Sequence, residues 1–308
     1  MIESWRQQML LGVVHPMAYP SASDEASLLA SIEEVCLDEF FDVLEIKPSD
    51  SATHAKIRAI AEQSAVQLIV ASQPPLLGAK LSLNDPDEAG RKAAVDKVKS
   101  SIDAAYELGA PLVAVLSGPD PGPAERDKQM DLLVDSLVQC CRYAEDQADD
   151  KPVWITLETF DHSIDKRCLI GPSERAQALA ARVRTQVPSF GLTIDLSHLP
   201  LLGESPAECL EQVIDYLIHV HAGNCAMQDE AHVAYGDQHP RFGMPGTEND
   251  VPQLKEFLET LIYSGYFKAP VPTPKPVLTF EVKPIAGETP QRILASTKRT
   301  FLRAWAEM

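Results

Sequence analysis

Eight short apolar runs, each followed by a helix-period pattern, constrain this chain more than any other feature. The runs are LGVVHPM near 11–17, FDVLEIK at 41–47, VQLIVAS at 66–72, PLVAVLSG at 111–118, PVWITLETF at 152–160, FGLTIDLSH at 190–198, LIHVHAGN at 217–224 and PVLTFEVKP at 276–284. Their apolar character is continuous and not alternating, as expected of strands buried on both faces of a parallel sheet. Apolar residues at three- and four-residue spacing predict helices over 24–39, 51–64, 87–108, 124–148, 172–186, 206–215, 251–264 and 288–306. Several open on start signals: Ser23-Asp24, Pro172-Ser173 with Glu174, and Asp250 before Val251-Pro252. Strand and helix alternating eight times in 308 residues predict an α/β fold, a single (β/α)₈ TIM barrel over residues 1–308. An open doubly wound sheet is the alternative. It brings a glycine-rich first turn, and the first turn here, HPMAYPSASD, has no glycine.

Composition narrows the function classes. No apolar run is long enough to span a membrane. The opening MIESWRQQMLLGVVHP lacks the basic segment, apolar stretch and small-residue site of a secretory signal. The expectation is a cytoplasmic chain with no membrane partner. Its six cysteines, none in a C-x-x-C pair, should then be reduced thiols. Against 45 acidic residues stand 27 basic ones, for a net charge of −18. Such a field repels polyanions and leaves no phosphate-tracking stripe, so a nucleic-acid partner is not expected.

Barrel enzymes carry their reactive groups at the C-terminal ends of the strands. Read that way, the first run ends in His15 and the second in Glu45 and Lys47. The fifth ends in Glu158, with Asp161 and His162 beyond it. The sixth gives Asp195 and His198, the seventh His219 and His221, the eighth Glu281 and Lys283. Any one of these is more often a satisfied polar residue than a functional one. The force lies in runs five to eight, which deliver a hard oxygen or an imidazole at four consecutive strand ends. Glu, Asp, His and Glu around one point make a donor set for a divalent ion, Mn²⁺ foremost, with Mg²⁺, Co²⁺ or Zn²⁺ as alternatives. A cation would also remove the mutual repulsion of the carboxylates. His162, Lys166, His239 and Lys283 are weaker candidates for substrate contact, as are Glu45 and Lys47, which can instead pair with each other or, for Glu45, with Lys283. His232 reads as an exposed loop residue, and Trp5, Trp154 and Trp305 as packing. The long irregular stretch from Asn224 to Asp250 reads as a lid or wall of the site.

The segments Leu157-Glu158-Thr159, Ile194-Asp195-Leu196-Ser197-His198, His219-Val220-His221 and Phe280-Glu281-Val282 resemble the xylose-isomerase-like TIM barrel superfamily, which includes the sugar phosphate isomerase/epimerase and ketose 3-epimerase families. His239-Pro240-Arg241-Phe242-Gly243-Met244-Pro245-Gly246-Thr247 is similar to their loop after the seventh strand. The resemblance runs in order over nearly the whole chain. It implies metal ligands at Glu158, Asp195, His221 and Glu281, with His219 in a supporting place. It further implies acid/base roles for Glu158 and Glu281 and substrate binding by His198. The family's arginine six residues beyond the metal histidine is Met227 here; Arg241 is the candidate replacement, and His15 and His239 join it as candidate substrate contacts. The implied enzyme is a metal-dependent isomerase or epimerase of a small sugar-like molecule, as a homodimer or homotetramer.

Three other readings compete. A lyase-type relative, an inosose dehydratase or C-glycoside-cleaving subunit, would use the same metal and bases. An endonuclease-IV-like repair enzyme is suggested by Asp237-Gln238-His239, which resembles that family's Asp-x-His zinc motif. It is opposed by the net charge and by the absence of histidine in the third and fourth runs. A non-catalytic metabolite-binding barrel is opposed by the intact set of ligands and bases.

Overall fold

The chain's computed structural model describes residues 4–285 and 287–308. Eight strands close into one barrel in sequence order: β1 (Leu10–Val14), β2 (Val43–Ile46), β3 (Gln67–Ala71), β4 (Leu112–Leu116), β5 (Trp154–Glu158), β6 (Phe190–Asp195), β7 (Leu217–Gly223) and β8 (Val277–Glu281). All neighbours are parallel, and β8 returns to β1 through pairs such as Leu11 with Leu278. The eight crossover helices are α1 (Glu25–Cys36), α2 (Ser51–Gln63), α3 (Glu88–Leu108), α4 (Arg126–Gln147), α5 (Ser173–Arg184), α6 (Pro206–Val213), α7 (Val251–Ser264) and α8 (Pro290–Ala306). This is the single (β/α)₈ barrel that the apolar runs predict. None of the described helices is long and apolar enough to cross a membrane.

Local chemistry sets the boundaries. Asp24 caps α1 by accepting from the Ser27 N–H at 2.9 Å, and at the start of α7 the Asp250 N–H donates to Gln253 Oε1 at 3.1 Å. The start signal at Pro172-Ser173 works differently: Ser173 sits inside α5, and its N–H (3.0 Å) and hydroxyl (2.5 Å) both go to Glu204. The strands are shorter than the apolar runs. After Val14 the chain turns at once into a one-turn helix, His15–Ala18, and after β6 into another, His198–Leu202. These turns stay buried over the barrel end, which keeps their sequence apolar.

Side chains two apart on a strand share a face, so each strand stacks its inward residues in layers. A cluster of Val43, Ile69, Leu112, Ile218 and Val277 plugs the N-terminal end. One step up, the lining turns polar: the Thr156 and Thr193 hydroxyls meet at 2.7 Å, and the Thr279 hydroxyl lies 3.3 Å from His219 Nε2. The inward positions at the mouth are Glu158, Asp195, His221 and Glu281, with Gly223 closing the inward face of β7. The apolar faces turned outward, Leu11, Val13, Leu44 and Ile194 among them, pack with the helices into the main core. Burial of that layer is what fixes the register of the polar column inside.

Candidate metal centre at the barrel mouth

Register brings the strand-end residues together. Asp195 stands opposite His221 across β6–β7, and Gly223 opposite Glu281 across β7–β8. Glu158, Asp195, His221 and Glu281 each offer one ligand atom, and these atoms all lie within 4.8 Å of one another. His221 Nδ1 is 3.2 Å from Glu158 Oε1 and 2.8 Å from Glu281 Oε2. Asp195 Oδ1 is held by the N–H groups of Ser197 (2.8 Å) and Gly223 (3.0 Å). Its Oδ2 is buried without a hydrogen-bond partner, and Glu281 Oε2, although 2.8 Å from His221 Nδ1, receives no aligned hydrogen bond. Orphaned buried carboxylate oxygens are expensive. Two of them, in a set of three carboxylates and one imidazole, fit a hard divalent cation.

Glu45, fully buried, sits beneath the set and faces neither Lys47 nor Lys283. Its Oε1 lies 2.5 Å from His219 Nε2 and 3.0 Å from His221 Nε2. This leaves His221 Nδ1 for the cluster, the arrangement in which a carboxylate orients a ligating histidine. Burial alone would raise the Glu45 pKa, but the His221 and His219 imidazoles outweigh it and hold the carboxyl well below its usual range. His221 is pushed the opposite way: burial opposes its charge, yet Glu45 and Glu158 carry its pKa well above the usual value. Sequence reasoning passes over Gln73, whose amide donates to Glu158 Oε2 at 2.8 Å.

The stretch from Asn224 to Asp250 is a wall clipped in place. Asn224 Oδ1 accepts from the Asn249 N–H at 2.7 Å, and the Asn249 amide donates to Gly223 O (3.0 Å) and Leu196 O (3.2 Å). His232, half-buried and not a free loop residue, braces this wall through a 3.0 Å contact with Pro245 O. The wall delivers Asp237 and His239 to the mouth. His239 adopts a left-handed backbone with φ 50°, a conformation costing about 1–2 kcal/mol outside glycine. Its ring is accommodated because position 223 is glycine: a Cβ there would lie 2.8 Å from His239 Nδ1.

His239 Nε2 and His198 Nε2 meet Asp237 Oδ1 at 2.7 and 3.0 Å. Asp195, His198 and His239 form a second group able to hold a metal, beside the first. Burial works against charging either histidine, but carboxylates prevail. Asp237 leads at His198 and raises it to about 10; Glu281 and Asp237 raise His239 to about 9. His198 Nδ1 is 2.6 Å from Thr159 O, and its ring packs on Phe160, so both of its nitrogens are engaged. Lys166 reaches Asp237 at 3.1 Å and Asp165 at 3.3 Å. Asp161 builds the turn that carries it, accepting backbone N–H bonds from residues 163 to 166, those of Ile164 and Lys166 at 2.6 Å.

Of the residues proposed from sequence for substrate contact, His15, Lys47, His162, His198, Arg241 and Lys283 do not line the cavity above the cluster. His15 turns away from the cavity: its Nε2 is 2.9 Å from Ser31 Oγ and its ring stacks on Tyr19. Arg241 is turned to Glu288, 2.7 Å from its Nε, and does not line the cavity. Above the cluster lies a cavity of about 210 Å³, reached by Glu158, His221, His239 and Glu281 on one side and by Met17, Leu77 and Phe160 on the other.

Fold and mouth define a (β/α)₈ barrel with buried carboxylates and imidazoles at its C-terminal face, in groups able to hold a cation. The chain belongs to the xylose isomerase-like TIM barrel family, whose model matches residues 32–295. Solved structures show the same fold. D-psicose 3-epimerase with D-tagatose from Clostridium cellulolyticum H10 is 19% identical, with a TM-score of 0.68 over 97% of this chain and 96% of that one. The IOLI protein with a bound zinc atom is 17% identical, with a TM-score of 0.72 over 97% and 99%. The 3-keto-D-glucoside 4-epimerase of E. coli is 15% identical, with a TM-score of 0.63 over 96% and 99%. No curated protein sequence matches the chain.

Proposed function

We propose that the chain is a divalent-metal-dependent isomerase or epimerase acting on a sugar, polyol or related keto compound. The observation that carries this reading is the convergence of Glu158, Asp195, His221 and Glu281 within 4.8 Å, with both glutamates facing one cavity. The epimerases among its structural relatives support it. A divalent cation in that set, Mn²⁺ by choice of donors, supplies Lewis acidity toward a carbonyl and its neighbouring hydroxyl. Each glutamate has one oxygen toward His221 and a second oxygen free to handle a proton. Glu158 Oε2, steadied by Gln73, and Glu281 Oε1, 3.5 Å from His239 Nε2, are the atoms assigned to that task. One takes the proton beside the carbonyl and the other returns one. Return to the same carbon from the opposite face gives epimerisation; return to the next carbon gives isomerisation.

The experiment is solvent exchange. Purified chain loaded with Mn²⁺ is incubated in D₂O with a panel of ketoses, inososes and keto acids, and deuterium is sought at the carbon beside the carbonyl. Exchange should vanish in Glu158→Gln and in Glu281→Gln and after chelation. Full activity after chelation and in Asp195→Asn refutes the metal reading. Loss of water from the substrate in place of exchange moves the assignment to a lyase.

A second reading has its own observation, the neighbouring group Asp195, His198 and His239 with Asp237 between the imidazoles. It is a second cation beside the first. Metal analysis at saturation separates the two readings: two equivalents per chain, falling to one in Asp237→Asn, favours the pair.

A further inference from the structure

The wall of the cavity opposite the metal set has little to offer a sugar. It is built from Val14, Pro16 and Met17 after β1, Pro74 and Leu77 in the short helix Gln73–Ala79, and Phe160 after β5. None of these side chains can donate or accept a hydrogen bond of ordinary strength. Most polar groups on the remaining lining are already committed. Glu45 is saturated by His219 and His221, and Asp237 by His198, His239 and Lys166. Gln73 Oε1 and His239 Nδ1, both buried and unpartnered, and the remaining proton of Lys166 are left; the His239 nitrogen lies on the metal side of the mouth, 3.7 Å from Asp195 Oδ2, so the wall itself offers a remote hydroxyl no partner.

Size points the same way. A dry cavity of roughly 150 Å³ takes benzene, so the 210 Å³ here holds on the order of eight heavy atoms. A carbonyl and its adjacent hydroxyl carbon use about half of that. The rest of the ligand must lie along the apolar wall, with Leu77, 45% exposed, at its rim. A fully hydroxylated chain laid there would leave hydroxyls facing Val14, Met17 and Phe160 without partners, and each unpaired hydroxyl is penalised.

We infer that the natural substrate is an α-hydroxyketone whose end remote from the carbonyl is deoxygenated, an alkyl-bearing or deoxy sugar and not a fully hydroxylated ketose. This rests on the metal-site reading above and narrows it. The chelating unit sits over Glu158, Asp195, His221 and Glu281. Met17, Pro74, Leu77 and Phe160 take the apolar end, so that discrimination comes from burial on one side of the mouth and chelation on the other.

The test compares D-fructose with 1,3-dihydroxyhexan-2-one, which lacks the remote hydroxyls; because most fructose is closed as a hemiketal, its affinity is referred to the open-chain keto fraction measured by carbon-13 NMR, so that both probes are compared with the same head. Each is titrated calorimetrically into full-length chain loaded with Mn²⁺, whose metal content is measured beforehand. The deoxygenated ketone should bind at least about tenfold more tightly, from burial of its methylenes alone. That margin should shrink at least about threefold in Leu77→Asn, a rim position whose exposure lets the variant fold, and in Met17→Gln. Equal affinity, a preference for fructose, binding of neither ketone, or a margin unchanged in both variants overturns the inference. The underlying reading fails on a separate measurement: a chain that retains no divalent ion fails it whatever the ketones do, and a chain that holds the ion but does not favour the deoxygenated ketone fails the substrate inference alone.

Discussion

Glu45→Gln isolates the part of the centre that sequence does not show. The substitution keeps the shape of a side chain with no solvent exposure, so no cavity opens, and it removes one negative charge. Glu45 Oε1 takes two imidazoles, His219 Nε2 at 2.5 Å and His221 Nε2 at 3.0 Å. A hydrogen bond to a charged acceptor contributes about 1.5–3 kcal/mol, and a neutral one about 0.5–1.5 kcal/mol. The difference at His221, about 1.5 kcal/mol, corresponds to roughly tenfold in metal affinity. That is the lower edge of the ten- to hundredfold range seen when a carboxylate behind a ligating histidine is changed. If the new amide turns its NH₂ toward His221 Nε2, the ring must carry its proton on Nδ1, the cluster-facing nitrogen, and the loss moves to the upper edge. Competition against a fluorescent chelator for Mn²⁺ measures the change, with circular dichroism and urea unfolding as fold controls. Affinity within twofold of the parent, in a folded variant, would show that Glu45 does not hold His221 as a ligand.

Positions outside the ligand set give two more expected outcomes. His15 is buried beside Ser31 and Tyr19. Burial, then the positive charge of Lys47, lower its pKa from 6.5 to about 4. The unfolded chain therefore binds a proton that the folded chain refuses between these values, so stability is highest above the unfolded pKa and falls with pH. The loss should reach about 2 kcal/mol by pH 5 and level off below pH 4. Urea titrations from pH 4 to 8 should show this limb in the parent and a flatter one in His15→Gln; parallel curves would refute it. At Gly223 an added Cβ would lie 2.8 Å from His239 Nδ1, 2.9 Å from Glu281 O and 3.1 Å from Ser197 Cβ. Gly223→Ala should cost about 1–3 kcal/mol by thermal or urea unfolding and weaken metal binding together with it; a variant as stable as the parent with unchanged affinity would contradict the close approach of the wall.

The barrel is legible in the sequence because parallel strands buried on both sides leave continuous apolar runs, and the eight helices between them keep their apolar period. The strand ends are less legible. LGVVHPM and FGLTIDLSH stay apolar past Val14 and Asp195 because the next turns are buried over the mouth, and burial, not strand geometry, selects those residues. Glu158, Asp195, His221 and Glu281 are legible for a related reason: each is an inward position at or near the end of its strand, a place fixed by a two-residue period. Glu45 is legible as a strand-end carboxylate but its role is not, because its partners are 174 and 176 residues away and meet it only once the barrel closes. Within the sequence it has only the neighbouring Lys47 and the strand-end Lys283 to suggest a pair. Gln73 is hidden in the same way, 85 residues from Glu158. Pro16, Met17, Pro74 and Leu77 carry no chemical signal at all; only their placement opposite the ligand set makes them informative.

The two halves of the mouth pose one electrostatic problem. Glu45, Glu158, Asp195, Asp237 and Glu281 lie buried together, and burial makes every unpaired negative charge costly. Within the chain the counter-charge comes from Lys166 and from imidazoles: His221 is raised well above its usual pKa, His198 to about 10 and His239 to about 9. A divalent cation offers the same compensation more compactly, and a histidine that ligates must give up its proton to do so. Cation and protons are therefore rivals for one set of carboxylates. The apolar wall sharpens that rivalry, since Val14, Met17 and Phe160 keep water from screening the charges on the far side. A ligand with an apolar end covers the mouth and deepens the exclusion, while its oxygens add donors where the charge is concentrated. The chemistry of strands β5 to β8 and the apolar lining after β1, β3 and β5 are thus one device: the second lowers the local dielectric in which the first must act.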